Sequence, residues 1–266
     1  MNRIDAKFQQ AKDEGRAIFS IYICAGDPDL ETTKKLVLEF DRAGVDLIEL
    51  GVPFSDPVAD GPVIQNATQR ALEGGTTLRK SLETLSAIRS ESEIPITLMT
   101  YYNPVFHYGV EALVKDAVDA GADGLIVPDL TPEESADLVF AARSHDCKTI
   151  FFTAPTSTDE RVRKTNESAT GFIYCVSVTG ITGARDALPE ELVSNLQRFR
   201  SLTDKPLVVG FGVSQQDQVR MLSEHADGII VGSAIVRKIE EHLSEGRDVL
   251  VQKVGELAAE LAAGVR

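Results

Sequence analysis

The run Ala43-Gly-Val-Asp-Leu-Ile-Glu-Leu-Gly51 decides the fold, because similar runs occur at two further places in the chain of 266 residues. They are Ala120-Gly-Ala-Asp-Gly-Leu-Ile-Val127 and His225-Ala-Asp-Gly-Ile-Ile-Val-Gly232. In each run, an aspartate directly precedes or opens a short apolar stretch. Such stretches, bounded by turn residues, are typical of buried parallel strands. We therefore interpret the chain as a repeated unit of two strands, the second of which follows the aspartate.

Further apolar stretches bring the number of predicted strands to eight. The strands are predicted at residues 17–23, 46–50, 94–100, 124–127, 148–153, 171–176, 206–209 and 228–231, with helical patterns between them. Alternating strands and helices imply parallel pairing and right-handed crossovers. Ile4, Phe8 and Ala11, at helical spacing, predict an extra N-terminal helix under the barrel. Because such barrels have roughly 250 residues, the sequence predicts one α/β domain over residues 1–266, a (β/α)8 TIM barrel.

The composition fits a large core and narrows the classes of function. Hydrophobic residues make up 43% of the chain and charged residues 26%, and the formal net charge is -14. Acidic and basic residues are mixed, which argues against a nucleic-acid or anionic-membrane surface. No stretch approaches the roughly 20 apolar residues of a membrane span, and a signal-peptide pattern is missing, so we expect a cytoplasmic protein. Cys24, Cys147 and Cys175 are far apart, which predicts core thiols and neither disulfides nor zinc.

Two carboxylates near the second strand are the candidates for catalysis. Glu49 interrupts an apolar strand, where burial raises the pKa of an ionisable group, as in acid–base catalysts. Asp60 follows on a loop constrained by Gly61 and Pro62, which can bring it to the same end of the barrel. We expect a wetter setting that keeps Asp60 anionic. Taken singly, Glu49 also fits a salt-bridged strand residue, and Asp60 also fits the N-cap of a helix that starts at Pro62.

Glycine-rich turns after the last two strands predict a phosphate site. The turns are Gly210-Phe-Gly-Val-Ser214 and Gly232-Ser-Ala-Ile-Val236. Glycine lets the backbone approach a ligand, and amides at a helix N-terminus bind anions. Barrels of this kind hold phosphate at this position. We expect the phosphate to bind the backbone amides of Gly212, Val213, Gly232 and Ser233.

Other reaction types lack the residues that they need. A Schiff base needs a lysine at the carboxyl end of a strand, and none is predicted there. Of the four histidines, only His107 lies shortly after a strand, so no metal site is expected. The reaction should therefore depend on proton transfer, in a pocket for a flat apolar group. Candidate walls, each of which also suits the core, are Tyr22, Met99, Tyr101, Tyr174 and Phe211.

The segment Glu49-Leu-Gly-Val-Pro-Phe-Ser-Asp-Pro-Val-Ala-Asp-Gly-Pro-Val-Ile-Gln65 resembles the signature of the tryptophan synthase alpha subunit family. Matching stretches through nearly the whole chain include Ala25-Gly-Asp-Pro28, Asn103-Pro-Val-Phe106 and Val178-Thr-Gly-Ile-Thr-Gly-Ala-Arg185. The resemblance implies a retro-aldol cleavage of indole-3-glycerol phosphate to indole and glyceraldehyde 3-phosphate, with no cofactor in this chain. It also implies an αββα complex in which indole passes to a beta subunit that carries pyridoxal phosphate.

The resemblance also implies roles for single residues. Glu49 matches the central acid–base catalyst, and Asp60 matches an aspartate that contacts the indole N–H. Residues that match the indole pocket are Ile64, Tyr174 and Phe211. Residues that match the phosphate site are Gly183, Gly212, Gly232 and Ser233. Asp56 and Pro57 match a loop that touches the beta subunit. Apart from the resemblance, the length and small residues of segment 176–185 predict a mobile lid over the substrate, and an ordinary surface loop also fits. We expect partner binding to order Asp60 against this lid, at residues 178–185, through Thr182.

Two other functions stay open on the residues alone. One is a different phosphate-binding barrel enzyme, such as a phosphosugar isomerase or a prenyltransferase acting on glycerol phosphate. The pair Glu49 and Asp60, together with the missing metal ligands, counts against it. The other is a barrel that only activates or scaffolds a partner subunit, and the presence of both carboxylates counts against that.

Overall fold

The structure, a computed structural model, describes residues 1–176, 189–210 and 212–266. Eight parallel strands form a closed barrel in which each strand pairs with the next one, and β8 pairs with β1. The strands are β1 (Ile18–Cys24), β2 (Leu47–Gly51), β3 (Ile96–Met99), β4 (Gly124–Ile126), β5 (Lys148–Thr153), β6 (Ile173–Val176), β7 (Leu207–Gly210) and β8 (Gly228–Val231). The predicted (β/α)8 fold is confirmed.

Helices lie outside the barrel and connect its strands. They are α1 (Arg3–Asp13), α2 (Leu30–Ala43), α3 (Pro62–Glu73), α4 (Leu78–Arg89), α5 (Tyr102–Tyr108), α6 (Val110–Ala120), α7 (Ala136–Ser144), α8 (Asp159–Ser168), α9 (Glu190–Arg200), α10 (Gln216–Ser223), α11 (Ser233–Glu241) and α12 (Arg247–Ala262), with a final 3-10 turn Ala263–Val265. Buried apolar side chains from strands and helices form a large core between the two layers.

Six strands differ from the sequence prediction by one or two residues at an end, and β5 and β8 match it. The predicted third and seventh strands included Pro95 and Pro206, whereas β3 starts at Ile96 and β7 at Leu207. Proline has no backbone N–H to donate to a neighbouring strand, so regular pairing begins one residue later.

The glycine in two of the three similar runs ends a helix. Gly44 caps α2 with a φ of 84°, and Gly121 caps α6 with a φ of 103°. A left-handed conformation of this kind favours glycine, because a side chain would be strained there. The chain then turns directly into β2 or β4, which explains why the glycine shortly precedes each strand.

The aspartates of the three runs hold equivalent places at the amino end of the barrel. Each carboxylate accepts a hydrogen bond from a backbone N–H at the start of the preceding strand, and each pairs with an arginine. The amide pairs are Asp46 with Phe19 (3.0 Å), Asp123 with Ile96 (2.9 Å) and Asp227 with Leu207 (2.7 Å). The arginines are Arg16, Arg89 and Arg200, respectively. These charge-assisted bonds connect β1 with β2, β3 with β4 and β7 with β8, so the repeated aspartate stabilises strand pairs at this end of the barrel.

Helix α1 covers the same end of the barrel. Ile4 and Ala11 are buried in a cluster with side chains from inside the barrel, and Phe8 packs against it. The rings of Phe8 and Phe172 have centroids 5.8 Å apart. The predicted N-terminal helix is thus confirmed in position, and it leaves the carboxyl ends of the strands open for a site.

The three cysteines are free and buried, as the sequence predicted. Within the part of the chain that the structure describes, no helix is long and apolar enough to cross a membrane.

Candidate active site

A cavity of about 550 Å³ opens at the carboxyl ends of the strands. It is lined by strand ends and by the loops that follow β2, β4, β7 and β8. Of the residues predicted from the sequence, the lining includes Tyr22, Glu49, Asp60, Ile64, Met99, Tyr174, Gly212, Gly232 and Ser233. The closed barrel therefore gathers most of the predicted site around one cavity.

Glu49 lies on β2, with Tyr22 of β1 and Thr97 of β3 as its neighbours across the sheet. Its side chain lines the cavity, yet the residue is only 1% exposed. Its Oε1 atom has no hydrogen-bond partner among the described residues, and no described lysine or arginine pairs with it. Burial alone raises the pKa of Glu49 to about 8. Among the described residues, Glu49 forms no salt bridge, which counts against the salt-bridged alternative, and a pKa of about 8 leaves Glu49 mostly protonated at neutral pH.

Asp60 lies on the loop between β2 and α3, half-buried at the mouth of the cavity. Tyr101 donates a hydrogen bond from its hydroxyl to Asp60 Oδ2, over 2.9 Å. Burial raises the pKa of Asp60, while this hydrogen bond lowers it, and the net direction is upward. The carboxyl group of Asp60 is thus more buried than we expected from the sequence. The N-cap of α3 is Gly61, without a side-chain cap, so the alternative role of Asp60 as N-cap is wrong.

Tyr101 contacts Asp60 through its hydroxyl and is not part of the cavity lining. The sequence predicted a wall of the pocket, because Tyr101 follows β3 directly. Its ring instead packs beside Phe54, with centroids 5.4 Å apart, and its hydroxyl turns to the loop that carries Asp60. Strand position alone does not fix where a side chain points once the strand has ended.

Tyr22 and Tyr174 lie across glycines of neighbouring strands. A Cβ atom on Gly51 would collide with the Tyr22 ring, and one on Gly210 would collide with the Tyr174 ring. These two glycines at strand ends therefore make room for the tyrosines that wall the cavity, a role that sequence reasoning missed.

The remaining wall is largely apolar. Met99 and Ile64 contribute to it as predicted, and seven further apolar residues were missed: Ala59, Pro62, Val63, Pro128, Phe152, Val176 and Ile230. The Phe152 and Tyr174 rings, on neighbouring strands, have centroids 4.7 Å apart. Alternation along β5 and β8 was the available signal, because every second residue of a strand faces the barrel interior.

The turns after β7 and β8 meet the cavity through Gly212, Gly232 and Ser233. Gly212 has a φ of 75°, a conformation that favours glycine. Gly232 is the N-cap of α11, whose first turn has no acidic residue, so its amides are suited to an anion. The side chain of Val213 is buried in the core, and only its backbone could serve a ligand.

Three predicted residues, Thr182, Gly183 and Phe211, lie outside the described residues, and so does the segment 178–185. Asp56 is exposed on the loop after β2, and Pro57 beside it is half-buried. Among the described ranges, no group of three or more His, Cys, Asp or Glu side chains could hold a metal ion.

A second cavity, of about 650 Å³, lies at the opposite end of the barrel between α1 and the amino ends of the strands. Charged side chains, including Lys12, Arg16, Arg200 and Asp227, line it. It contains none of the predicted site residues, and Arg16 and Arg200 are already paired with aspartates.

The fold and the cavity define a class of protein: a (β/α)8 barrel with a buried, protonated glutamic acid and glycine-rich turns at one mouth. Residues 8–266 match the model of a family described as "Tryptophan synthase alpha chain". The chain is 48% identical to the tryptophan synthase alpha chain of Geotalea daltonii, over 100% of this chain and 99% of that protein. It is 44% identical to that of Opitutus terrae, over 100% of both chains.

Solved structures agree with these sequence matches. The alpha subunit of tryptophan synthase from Legionella pneumophila is 36% identical, with a TM-score of 0.92 over 100% of this chain and 98% of that chain. A tryptophan synthase structure from Mycobacterium tuberculosis is 38% identical, with a TM-score of 0.90 over 100% and 98%. This chain belongs to the tryptophan synthase alpha chain family. The alpha chain is the lyase that cleaves indole-3-glycerol phosphate, so the predicted family and reaction are confirmed.

Proposed function

We propose that this chain cleaves indole-3-glycerol phosphate to indole and glyceraldehyde 3-phosphate with Glu49 and Asp60 as its acid–base and electrostatic groups. The observation that carries the proposal is Glu49: a buried carboxyl group on the cavity wall, with a free oxygen and a pKa raised to about 8. Such a group is protonated at neutral pH and can both give and take a proton near that pH.

The substrate would lie with its phosphate at Gly212, Gly232 and Ser233 and its indole ring against the apolar wall. Backbone amides at these turns suit the phosphate without a lysine. We assign Gly183 and the Val213 amide to the same phosphate, and Phe211 to the indole wall, from the sequence.

Bond cleavage then needs three changes of charge. Glu49 donates its proton to C3 of the indole, which makes the ring nitrogen cationic. Asp60, as the carboxylate, accepts a hydrogen bond from the indole N–H and offsets this charge. The C–C bond breaks as its electrons return to the ring, and the side-chain hydroxyl gives its proton to Glu49 to form the aldehyde. Glu49 is thereby protonated again, so no external base is consumed.

The test is a direct assay of indole release from indole-3-glycerol phosphate by the purified chain. We expect slow release by the chain alone, faster release with a beta subunit, and competitive inhibition by inorganic phosphate. Absence of indole under both conditions would contradict the proposed activity.

The partner is a proposal of its own: a beta subunit with pyridoxal phosphate, in an αββα complex, that receives the indole. Exposed groups near the cavity mouth support a docking surface there. Asp56 is exposed beside Pro57, Val58 is 82% exposed, and Phe106 of α5 is 68% exposed. Val58 and Phe106 both follow strands at the carboxyl end of the barrel, and large apolar residues exposed at one end of a protein suit a protein–protein contact.

Partner binding would order the loop with Asp60 against the lid, most directly through Thr182. A coupling of ~1–3 kcal/mol corresponds to roughly 5- to 150-fold in affinity. Linkage requires a ligand of the closed state to strengthen partner binding by the same factor. We therefore expect a non-cleavable substrate analogue to tighten beta-subunit binding, and unchanged affinity would contradict the coupling while leaving the lyase activity intact.

We also propose that residues 1–266 act as a single domain in the cytoplasm. Packing of α12 against α2 and the hydrogen bond from Arg266 to the Gly44 carbonyl oxygen support one domain, because they join the two ends of the chain. Three free, buried thiols are consistent with a reducing compartment.

A further inference from the structure

Tyr101 makes three contacts with the loop that carries Asp60. Its hydroxyl donates to Asp60 Oδ2 over 2.9 Å and accepts from the Ala59 backbone N–H over 3.1 Å. Its ring lies beside the ring of Phe54, with centroids 5.4 Å apart. Tyr101 itself is only 4% exposed, and its two hydrogen bonds to the loop are partly buried.

The barrel fixes Tyr101 on both sides. The backbone N–H of Thr100 donates to the Ile126 carbonyl oxygen on β4, over 3.0 Å. The N–H of Tyr102 donates to Asp129 Oδ1, over 2.8 Å, and Tyr101 is the N-cap of α5. Because both neighbours are bonded to the β4 region, the hydroxyl of Tyr101 has a fixed position in the barrel.

The loop has few other attachments near Asp60. The N–H of Asp60 donates to the Pro57 carbonyl oxygen, and Gln65 donates to the Asp60 carbonyl oxygen. Both bonds lie within the loop and the first turn of α3. Among the described residues, Tyr101 alone donates a hydrogen bond to the Asp60 carboxylate.

We propose that Tyr101 is a positioning residue, whose hydroxyl holds the Asp60 carboxylate at the cavity mouth and favours its ionised form. The proposal rests on the role of Asp60 in the proposed function. A hydrogen bond to a carboxylate stabilises the charged form, which opposes the effect of burial. Asp60 must be charged to stabilise the indole N–H, so the hydroxyl acts on catalysis without touching the substrate.

Four titratable groups near Asp60 carry no charge in the acid range, where a carboxyl group titrates. Glu49 has a pKa of about 8, burial raises the pKa of Tyr22 and Tyr174 well above the usual value, and it raises that of Cys24 to about 12. Asp129 is the acidic neighbour on the side of Tyr101. No described lysine or arginine pairs with Asp60. Asp129 accepts from the backbone N–H of Tyr102, which Tyr101→Phe leaves in place, so a shift of the acid limb in that variant is assigned to Asp60.

The test replaces the hydroxyl by Tyr101→Phe and compares it with Tyr108→Phe. Tyr108 is a matched control at the other end of α5, since its hydroxyl donates to Asp116 Oδ2 over 2.6 Å, away from the cavity. We expect Tyr101→Phe to lower kcat/KM for indole release about tenfold near pH 6. Its acid limb should move upward by about one pH unit, because the carboxylate loses the bond that favours ionisation. Titration of the substrate phosphate is common to all variants, and Tyr108→Phe should retain the wild-type profile.

A double-mutant cycle with Asp60→Asn distinguishes an effect of Tyr101 through Asp60 from a general destabilisation of the loop. In the Asp60→Asn background, Tyr101→Phe should change kcat/KM by less than about twofold, because the hydroxyl acts through Asp60. An acid limb that coincides with that of the wild type, or losses that multiply in the double variant, would overturn the positioning role. If Asp60→Asn itself kept wild-type turnover, the proposed function would be at fault instead.

Discussion

Buried carboxyl groups at the two ends of the barrel differ in their hydrogen-bond partners. At the amino end, Asp123 is 3% exposed and accepts hydrogen bonds from the Ile96 N–H, Arg3 and Arg89. At the carboxyl end, Glu49 is 1% exposed, and its Oε1 atom has no partner among the described residues. Burial raises the pKa of both groups, but at Asp123 the amide and the arginines act against it.

This difference in hydrogen bonding shows which carboxyl group stabilises the fold and which one is available for chemistry. A buried polar atom without a partner costs about 1–3 kcal/mol, so it persists where a ligand can use it. A carboxylate with an amide and two arginines is stable and chemically inert. We therefore expect the amino end to serve stability alone and the carboxyl end to serve activity at the expense of stability.

Asp123→Ala should have the largest effect. It removes the carboxylate that pairs with Arg89 and the acceptor of the Ile96 N–H, and the loss of one partner of a buried ion pair costs about 4 kcal/mol. Urea unfolding should report this loss, while kcat per folded molecule stays at the wild-type level. Asp119→Ala is the control, because Asp119 forms an exposed pair with Lys115, and its unfolding curve should match the wild type. Equal stability of the two variants would remove the contrast between the ends.

The stability of the protein should fall with pH because of Glu49. Its pKa is about 8 in the folded state against 4.5 in the unfolded state, so its contribution is fully present below pH 4.5 and lost as pH rises to about 8. Between pH 5 and pH 8 the loss should be about 3 kcal/mol. Glu49→Gln should lack this dependence, so the variant should exceed the wild type in stability at pH 8. Parallel pH profiles of unfolding free energy in the two proteins would refute the raised pKa.

Glu49→Gln should also lower turnover by at least ~10²-fold, which is about 2.7 kcal/mol. Glutamine keeps the shape of the side chain and removes the proton that C3 needs. Steady-state indole release measures the effect, and Glu83→Gln, an exposed change on α4, is the matched control. Near-normal turnover of Glu49→Gln would refute its catalytic role.

Gly232→Val should raise KM about tenfold, close to 1.4 kcal/mol, and leave kcat nearly unchanged. Gly232 has a φ of -113°, which a valine can adopt, and a Cβ atom there would lie 3.4 Å from the nearest atom of Tyr22. The substitution therefore narrows the approach of phosphate without straining the backbone. Gly212, with its φ of 75°, offers a less clean test. Inorganic phosphate should inhibit the variant more weakly than the wild type, and sulfate bound elsewhere in a crystal would count against this site.

The sequence by itself determined the barrel fold and the positions of the main site residues along the strands and turns. Apolar stretches, helix-capping glycines and aspartates are patterns of residues that are close in sequence. Such patterns show which face and which end of a strand a residue occupies. For this reason Glu49, the turns at Gly212 and Gly232, and helix α1 were predicted at the places where the structure has them.

Only the tertiary structure decided how these groups meet. The hydroxyl that holds Asp60 comes from Tyr101, 41 residues further along the chain, and no local pattern specifies that pair. The free oxygen of Glu49 and the missed wall residue Phe152 also depend on barrel closure. A pKa is set by everything that surrounds a group in space, whereas sequence pattern reports only its neighbours along the chain.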